Sequence, residues 1–346
     1  MNLHAGLFLT LFWLALQHTL AQGPLPASTP LFGPQEPLSL ALRASIKSLK
    51  GDTNDSTYLN SMLYFNPHEG VSDSLGIQVR ARGNARREVC FYPPIALRFS
   101  DSNTRGTPFE GQKEVKLVLP CQIGGDYEDY VLKELLAYKL FEQVSPYFYA
   151  TRLVQLDFFE VRGNRERRHE LWAFLLEDHS AVARRLNGKR VRRNVPPEMQ
   201  DALAGVRDNL FQFMIGNTDY SMRMQHNQRL YYLDGTYVTL PYDFDMSGLV
   251  NAPYATVNNI QNLDGNIEQV TERLYKGYAR DTTLMQQVRA EFLAARPAME
   301  KCLNDLEPYF KDRRQMAEAR EYLDSFFHIL ENDRLFERRI IEHMRD

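Results

Sequence analysis

Two kinds of hydrophobic periodicity divide this chain. In the first half, apolar residues alternate with polar ones over short runs, as at Ile77, Val79 and Ala81, which predicts β-strands. In the second half, apolar residues recur every three or four positions, as between Met199 and Phe213, which predicts helices. Strands followed by helices indicate an α+β protein, with an antiparallel sheet lobe first and a mainly helical lobe second.

One helix and one hairpin are the best-marked local elements. Apolar stripes predict a helix over about Glu128 to Gln143, between the strands of the sheet lobe. The Asp234-Gly235 dipeptide predicts a tight turn between two short strands in the second half. The alternating runs of the first half predict strands at about 75–81, 95–99, 115–119, 152–161 and 170–177.

The N-terminus has the features of a secretory signal peptide. An apolar run from Ala5 to Leu16 is too short to span a bilayer, and small residues precede a cleavage point after Ala21. No later apolar stretch is long enough to span, so an exported protein, periplasmic or extracellular, is expected with no stable membrane span after cleavage. The predicted divisions are a signal peptide (1–21), a flexible Pro- and Gly-rich lead-in (22–37), a sheet lobe (38–178) and a helical lobe (179–346).

Charge and cysteine content narrow the classes of partner. The 346 residues include 41 Lys plus Arg and 44 Asp plus Glu, and the net charge of -3 gives no sign of a nucleic-acid partner. In an oxidising compartment Cys90 can pair with Cys121, because both lie on or beside predicted neighbouring strands. Three buried thiols, with Cys302 as the third, are the alternative. The absence of any Cys-x-x-Cys argues against a structural zinc site.

Polar residues flank the predicted hairpin on both sides. Asp219 and Asn227 precede it, and Asp243 and Asp245 follow it. Because a hairpin brings its two ends together, Asp219, Asn227 and Asp243 can meet at one point, and their oxygens suit a hard cation such as Mg²⁺. Protein kinases place a sheet, a helix, an Asp loop, an Asn, a hairpin and an Asp in this order. The pattern therefore predicts a phosphoryl-transfer site.

Three motifs carry a resemblance to a known family. They are Ile215-Gly216-Asn217-Thr218-Asp219-Tyr220-Ser221, His226-Asn227 and Pro241-Tyr242-Asp243-Phe244-Asp245-Met246-Ser247-Gly248, preceded by a weaker Arg82-Gly83-Asn84 with Arg86-Arg87. Together they closely resemble the spore-coat CotH kinase-like family, particularly its exported bacterial members, over roughly residues 75–254. The resemblance implies an atypical protein-kinase-like two-lobed fold. It also implies transfer of phosphate from ATP to Ser or Thr of a protein substrate, with Mg²⁺ or Mn²⁺.

The resemblance also assigns roles to individual residues. Asp219 would be the catalytic acid/base, Asp243 the metal ligand after the hairpin, with Asp245 as the alternate, and Asn227 the second ligand. The sequence departs from ordinary kinases here, since Asn227 follows Asp219 by eight residues rather than five.

The nucleotide-binding residues are less well defined. No Gly-x-Gly-x-x-Gly covers the phosphates, and Arg82 in its Arg-Gly-Asn motif would supply a cation and backbone amides instead. Many relatives have a Lys where this chain has Ala96, so Lys116 or Arg98 would bind the phosphates, with Lys116 preferred. Glu134 on the predicted helix is the natural partner for Lys116.

Other interpretations of the same residues stay open. The missing Lys and the altered Asn spacing also fit a catalytically degenerate interaction or surface protein. Asp243-Phe244-Asp245 can be interpreted as the Asp-x-Asp motif of a metal-dependent sugar-nucleotide transferase, although that class requires a parallel sheet. The acidic residues can also be purely structural, with Asp243 and Asp245 bonding turn amides and Asp219 capping a helix.

Overall fold

The computed structural model describes residues 29–66, 73–83, 85–257 and 267–345. The predicted signal peptide, the first part of the predicted lead-in and Asn84 of the Arg-Gly-Asn motif lie outside these residues. Among the described helices, none is long and apolar enough to cross a membrane.

The regular elements are numbered in chain order. The strands are β1 (Leu38–Ala44), β2 (Leu59–Phe65), β3 (Asp73–Ala81), β4 (Ile95–Arg98), β5 (Glu114–Val118), β6 (Thr151–Arg162), β7 (Arg165–Glu177), β8 (Lys189–Val191), β9 (Gln228–Leu233) and β10 (Thr236–Pro241). The helices are α1 (Ile46–Gly51), α2 (Ala85–Val89), α3 (Tyr127–Phe141), α4 (His179–Arg185), α5 (Ala202–Ile215), α6 (Thr282–Leu306), α7 (Arg313–Glu331) and α8 (Asp333–Arg339).

The first seven strands close into a barrel. Their order is β1-β2-β3-β4-β5-β7-β6, and the ring closes where β6 pairs with β1 in parallel, from Leu38 opposite Val154 to Ala44 opposite Glu160. The remaining neighbours in the ring are antiparallel. The predicted kinase-like two-lobed fold, an antiparallel sheet lobe followed by a helical lobe, is therefore wrong. The alternating pattern in the sequence did not predict β1 and β2, which lie between β6 and β3 in the ring.

Alternating apolar residues fill the barrel. Successive side chains of a strand point to opposite faces, so one set from every strand converges inside. Leu40, Ile77 and Leu156 are among the buried residues of this cluster. Leu31 and Phe32, from the segment predicted as a flexible lead-in, are buried in the same cluster.

A second core surrounds α3. This helix is buried on nearly all sides, and it packs against β7 on the barrel and against α6 from the second half of the chain. Phe141 of α3 lies with its ring centroid 4.7 Å from that of Phe211 on α5, and Tyr138 lies 4.6 Å from Phe244. One continuous cluster runs from the outside of the barrel to the C-terminal helices, so α3 joins the two halves of the chain.

The predicted hairpin is confirmed as β9 and β10, which turn at Asp234 and Gly235. With β8 they form a three-stranded antiparallel sheet in the order β10-β9-β8. The Cys90–Cys121 disulfide is also confirmed, and it ties the end of α2 to the segment leading into α3. Cys302 is a half-buried free thiol, and burial raises its pKa to about 11.

Candidate functional site

The loop that carries Asp219 begins where α5 ends. Gly216 closes the helix in the left-handed conformation, with φ of 62°, which glycine adopts without steric cost. A Cβ at this position would collide with the Tyr322 hydroxyl. The next residue, Asn217, accepts the Asp219 N–H through its side-chain Oδ1 at 3.0 Å. The helix end therefore fixes the backbone on which Asp219 sits.

Asp219 and Asn227 meet directly. The side-chain Nδ2 of Asn227 donates to the backbone carbonyl of Asp219 at 2.7 Å and to the Asp219 carboxylate Oδ2 at 2.9 Å. The other carboxylate oxygen lies 3.0 Å from Nε2 of His226. Two residues that the sequence predicted for one site are thus brought together, and Asn227 keeps its side-chain Oδ1 as an acceptor.

Asp243 is held next to this pair through Tyr242. The Tyr242 N–H donates to the Asn227 carbonyl at 3.1 Å. Asp243 itself has a left-handed backbone, with φ of 67°, and its N–H donates to the Tyr138 hydroxyl of α3 at 2.9 Å. Its negative charge raises the pKa values of Arg82 and Lys116, against the larger lowering that burial causes.

Asp245, predicted as the alternate metal ligand, forms an ion pair with Arg86. Its carboxylate lies 3.5 Å from the guanidinium of Arg86, which is also 3.5 Å from the carboxylate of Glu134 on α3. Burial raises the pKa of Asp245 to about 6 against the attraction of Arg86, with smaller contributions from the charges of Asp243 and Asp219. Because Arg86 already neutralises it, Asp245 is poorly suited to serve as the alternate metal ligand.

The expected pairing of Lys116 with Glu134 is wrong. Lys116 stands opposite Leu176 near the end of β7, so its chain reaches His179 at the start of α4, with Nζ 3.1 Å from Nε2. Glu134 instead binds Arg86. Burial lowers the pKa of Lys116 well below its usual value, and the neighbouring Arg82 lowers it further.

A chain of hydrogen bonds continues from Lys116. The Nδ1 atom of His179 lies 2.8 Å from the Tyr149 hydroxyl, which lies 2.9 Å from that of Tyr231. The Tyr231 hydroxyl donates to the His179 carbonyl at 3.2 Å. A neutral His179 that accepts from Lys116 at Nε2 and donates from Nδ1 satisfies every bond in the chain. The network fixes the position of the lysine amino group.

Positive charge collects around His179 and Tyr242. Burial lowers the pKa of His179 strongly, and four cations lower it further. The ring of Tyr242 lies 4.5 Å from one of them, Arg229, and 5.4 Å from the Lys116 nitrogen. We call this set the cation cluster: Arg82, Lys116, Arg190 and Arg229.

Sequence reasoning found half of the cation cluster. Arg82 and Lys116 were predicted, but Arg190 and Arg229 were missed. His179, which contacts Lys116, was also missed. Arg229 lies in a predicted strand and Arg190 in a basic run, and neither pattern indicates a phosphate-binding site. Arg86 was quoted as part of the Arg-Gly motif, yet its ion pairs depend on residues far along the chain.

The oxygen atoms of this site could bind a divalent cation only together with phosphate groups. Within the residues that the structure describes, no group of three or more His, Cys, Asp and Glu side chains is placed to hold a metal ion. Mg²⁺ commonly takes one or two protein ligands while phosphates and water complete its shell. The Asp243 carboxylate and the Asn227 Oδ1 are the oxygen atoms that would supply these protein ligands, and the cation cluster would attract the phosphates.

No family model matches this chain, and no curated protein shows significant similarity to it. The resemblance to the CotH kinase-like family therefore stays a prediction from the motifs.

Proposed function

We propose that this protein is an exported phosphotransferase, which moves the terminal phosphoryl group of ATP to a Ser or Thr hydroxyl of a protein substrate. The main observation in favour of the proposal is that Tyr242 contacts two sets of residues. On one side lies the hydrogen-bonded Asp219–Asn227 pair, and on the other lies the cation cluster. Phosphoryl transfer needs an acceptor for the hydroxyl proton next to cations that stabilise phosphate charge.

Each side has a distinct task in this proposal. The guanidinium groups of the cation cluster bind the phosphates, and the His179 network holds the Lys116 amino group in place beside them. Asp243 and Asn227 would hold a divalent ion that, when bound, neutralises phosphate charge.

Asp219 would accept the proton of the attacking hydroxyl. Its carboxylate is oriented by the Asn227 amide on one oxygen and by His226 on the other. The buried ammonium of Lys276 donates to the carbonyls of Thr218 and Tyr220 at 2.6 and 3.0 Å, which fixes the backbone on both sides of Asp219. The base is thereby positioned before substrate arrives.

Export is part of the proposal because of two observations. The N-terminal sequence predicts a signal peptide, and the disulfide between Cys90 and Cys121 is typical of oxidising compartments.

Nucleotide titration with metal tests the proposal. Isothermal calorimetry of the wild type with ATP should give binding that strengthens with Mg²⁺ or Mn²⁺. The Asp243→Asn variant should lose the metal-dependent part. The Asp219→Asn variant should bind normally and transfer phosphate at least about 100-fold more slowly, as expected for loss of a general base. Asp234→Asn, in the exposed β9–β10 turn, is the matched control.

Wild-type protein that binds no ATP with either metal would refute the proposal. A second candidate, a non-catalytic binding protein, is favoured by one observation: Lys116 is only 2% exposed and its nitrogen already contacts His179. Normal ATP binding without detectable phosphorylation of a general protein substrate, or of the protein itself, would support this candidate instead.

A further inference from the structure

A short basic segment follows the start of α4. Residues 184–193 contain six cationic side chains and no Asp or Glu. One of the six, Arg185, is buried against the Glu177 carboxylate at 2.8 Å. We call the other five the basic segment: Arg184, Lys189, Arg190, Arg192 and Arg193.

The basic segment lacks the carboxylate partners that arginines have elsewhere in the protein. Arg168 pairs with Asp157, and Arg207 pairs with Glu291 on α6. Within the described residues, by contrast, no side chain of the basic segment forms an ion pair. Arg184 lines a cavity that Asp55 and Asp178 also line, so the positive charge without acidic neighbours lies on the other four residues.

The basic segment adjoins the loop of the proposed catalytic Asp219. The carbonyl of Arg193 accepts from the Gln225 side chain at 2.7 Å, and Gln225 directly precedes His226. Arg190 belongs to the cation cluster at the other end. Arg190 lies within β8, which is the edge strand of its sheet and exposes Lys189 and Arg190 to solvent.

We propose that the basic segment docks an acidic stretch of the substrate protein, next to the Ser or Thr that receives phosphate. The inference rests on the proposed function. Uncompensated cations beside a catalytic loop are complementary to Asp and Glu side chains on an extended peptide. Since an extended chain advances about 3.3 Å per residue, the three residues of β8 match about three peptide positions.

Peptide binding without nucleotide tests this inference separately from catalysis. Fluorescence anisotropy would compare a labelled peptide carrying one Ser and four Glu with the same peptide carrying four Gln. Wild-type protein should bind the Glu peptide about tenfold more tightly at low salt, and added salt should reduce the difference.

The variant Lys189→Ser/Arg192→Ser removes two exposed cations outside the cation cluster. It should lose most of the preference for the Glu peptide. The matched control, Arg165→Ser/Arg167→Ser, makes the same charge change on the β6–β7 hairpin and should keep the preference.

Equal affinity of the wild type for both peptides would overturn the inference, as would an unchanged preference in the Lys189/Arg192 variant. So would tighter binding, lost in the same variant, to a single-stranded RNA oligomer or to anionic phospholipid vesicles. If the Glu peptide binds as expected but is never phosphorylated with Mg²⁺ and ATP, the docking surface stands and the proposed transfer reaction fails.

Discussion

Replacing Arg86 by methionine tests the buried charge network under the site. The guanidinium of Arg86 is 3.5 Å from the carboxylates of both Glu134 and Asp245, which are almost fully buried. Methionine keeps much of the volume and removes the charge. Removing one partner of a buried ion pair typically costs about 3–5 kcal/mol, because the remaining charge is buried without compensation.

Protonation of the carboxylates limits this cost in acid. With Arg86 present, burial raises the pKa of Asp245 to about 6, and burial also raises that of Glu134. Without Arg86 both pKa values should rise further. A carboxyl whose folded pKa is raised binds its proton more tightly in the folded state, so stability falls as pH rises through the window between the unfolded and folded pKa values. The variant should therefore lose about 3–5 kcal/mol near pH 8 and clearly less near pH 5.

Urea unfolding at the two pH values measures this difference. Arg86→Lys, which keeps a positive charge, should recover part of the stability. Arg87→Met is the matched control, because Arg87 donates to the carbonyls of Lys50 and Thr53 rather than to carboxylates. Its stability loss should not depend on pH. The same loss for Arg86→Met at both pH values, or a loss below about 1 kcal/mol, would refute the reasoning.

Three other changes have expected effects on stability, each measured by urea unfolding. Burial raises the pKa of Asp208 to about 7, so this group should lower wild-type stability by up to about 4 kcal/mol between about pH 4 and pH 7. The Asp208→Asn variant should lose this pH dependence. Parallel pH profiles of stability for the wild type and the variant would contradict the prediction. The variant Cys90→Ala/Cys121→Ala removes a disulfide between residues 31 positions apart, and the chain-entropy model predicts a stability loss of about 4 kcal/mol. An unchanged urea midpoint would show that the disulfide contributes nothing to stability. Gly216→Ala places a side chain at positive φ against Tyr322 and should cost at least about 1 kcal/mol, which Gly51→Ala, in open space, should not.

Local pattern alone determined several elements of this protein. The stripes of apolar residues located α3, and the Asp234-Gly235 turn located the β9–β10 hairpin, because both signals depend on neighbours within a few residues. The same hairpin brought Tyr242 next to Asn227, since β9 begins directly after Asn227 and β10 ends directly before Tyr242. The position of Cys90 and Cys121 beside neighbouring strands indicated their disulfide.

Only the tertiary structure decided how the sheet closes and which charges pair. The parallel pairing of β1 with β6 joins segments more than a hundred residues apart, and no local periodicity encodes a long-range register. The choice of Arg86 rather than Lys116 as the partner of Glu134 depends on where α2, β5 and α3 lie in space. A side chain's partner is set by which groups are within its reach and by how much water is excluded there, and both follow from packing rather than from sequence order.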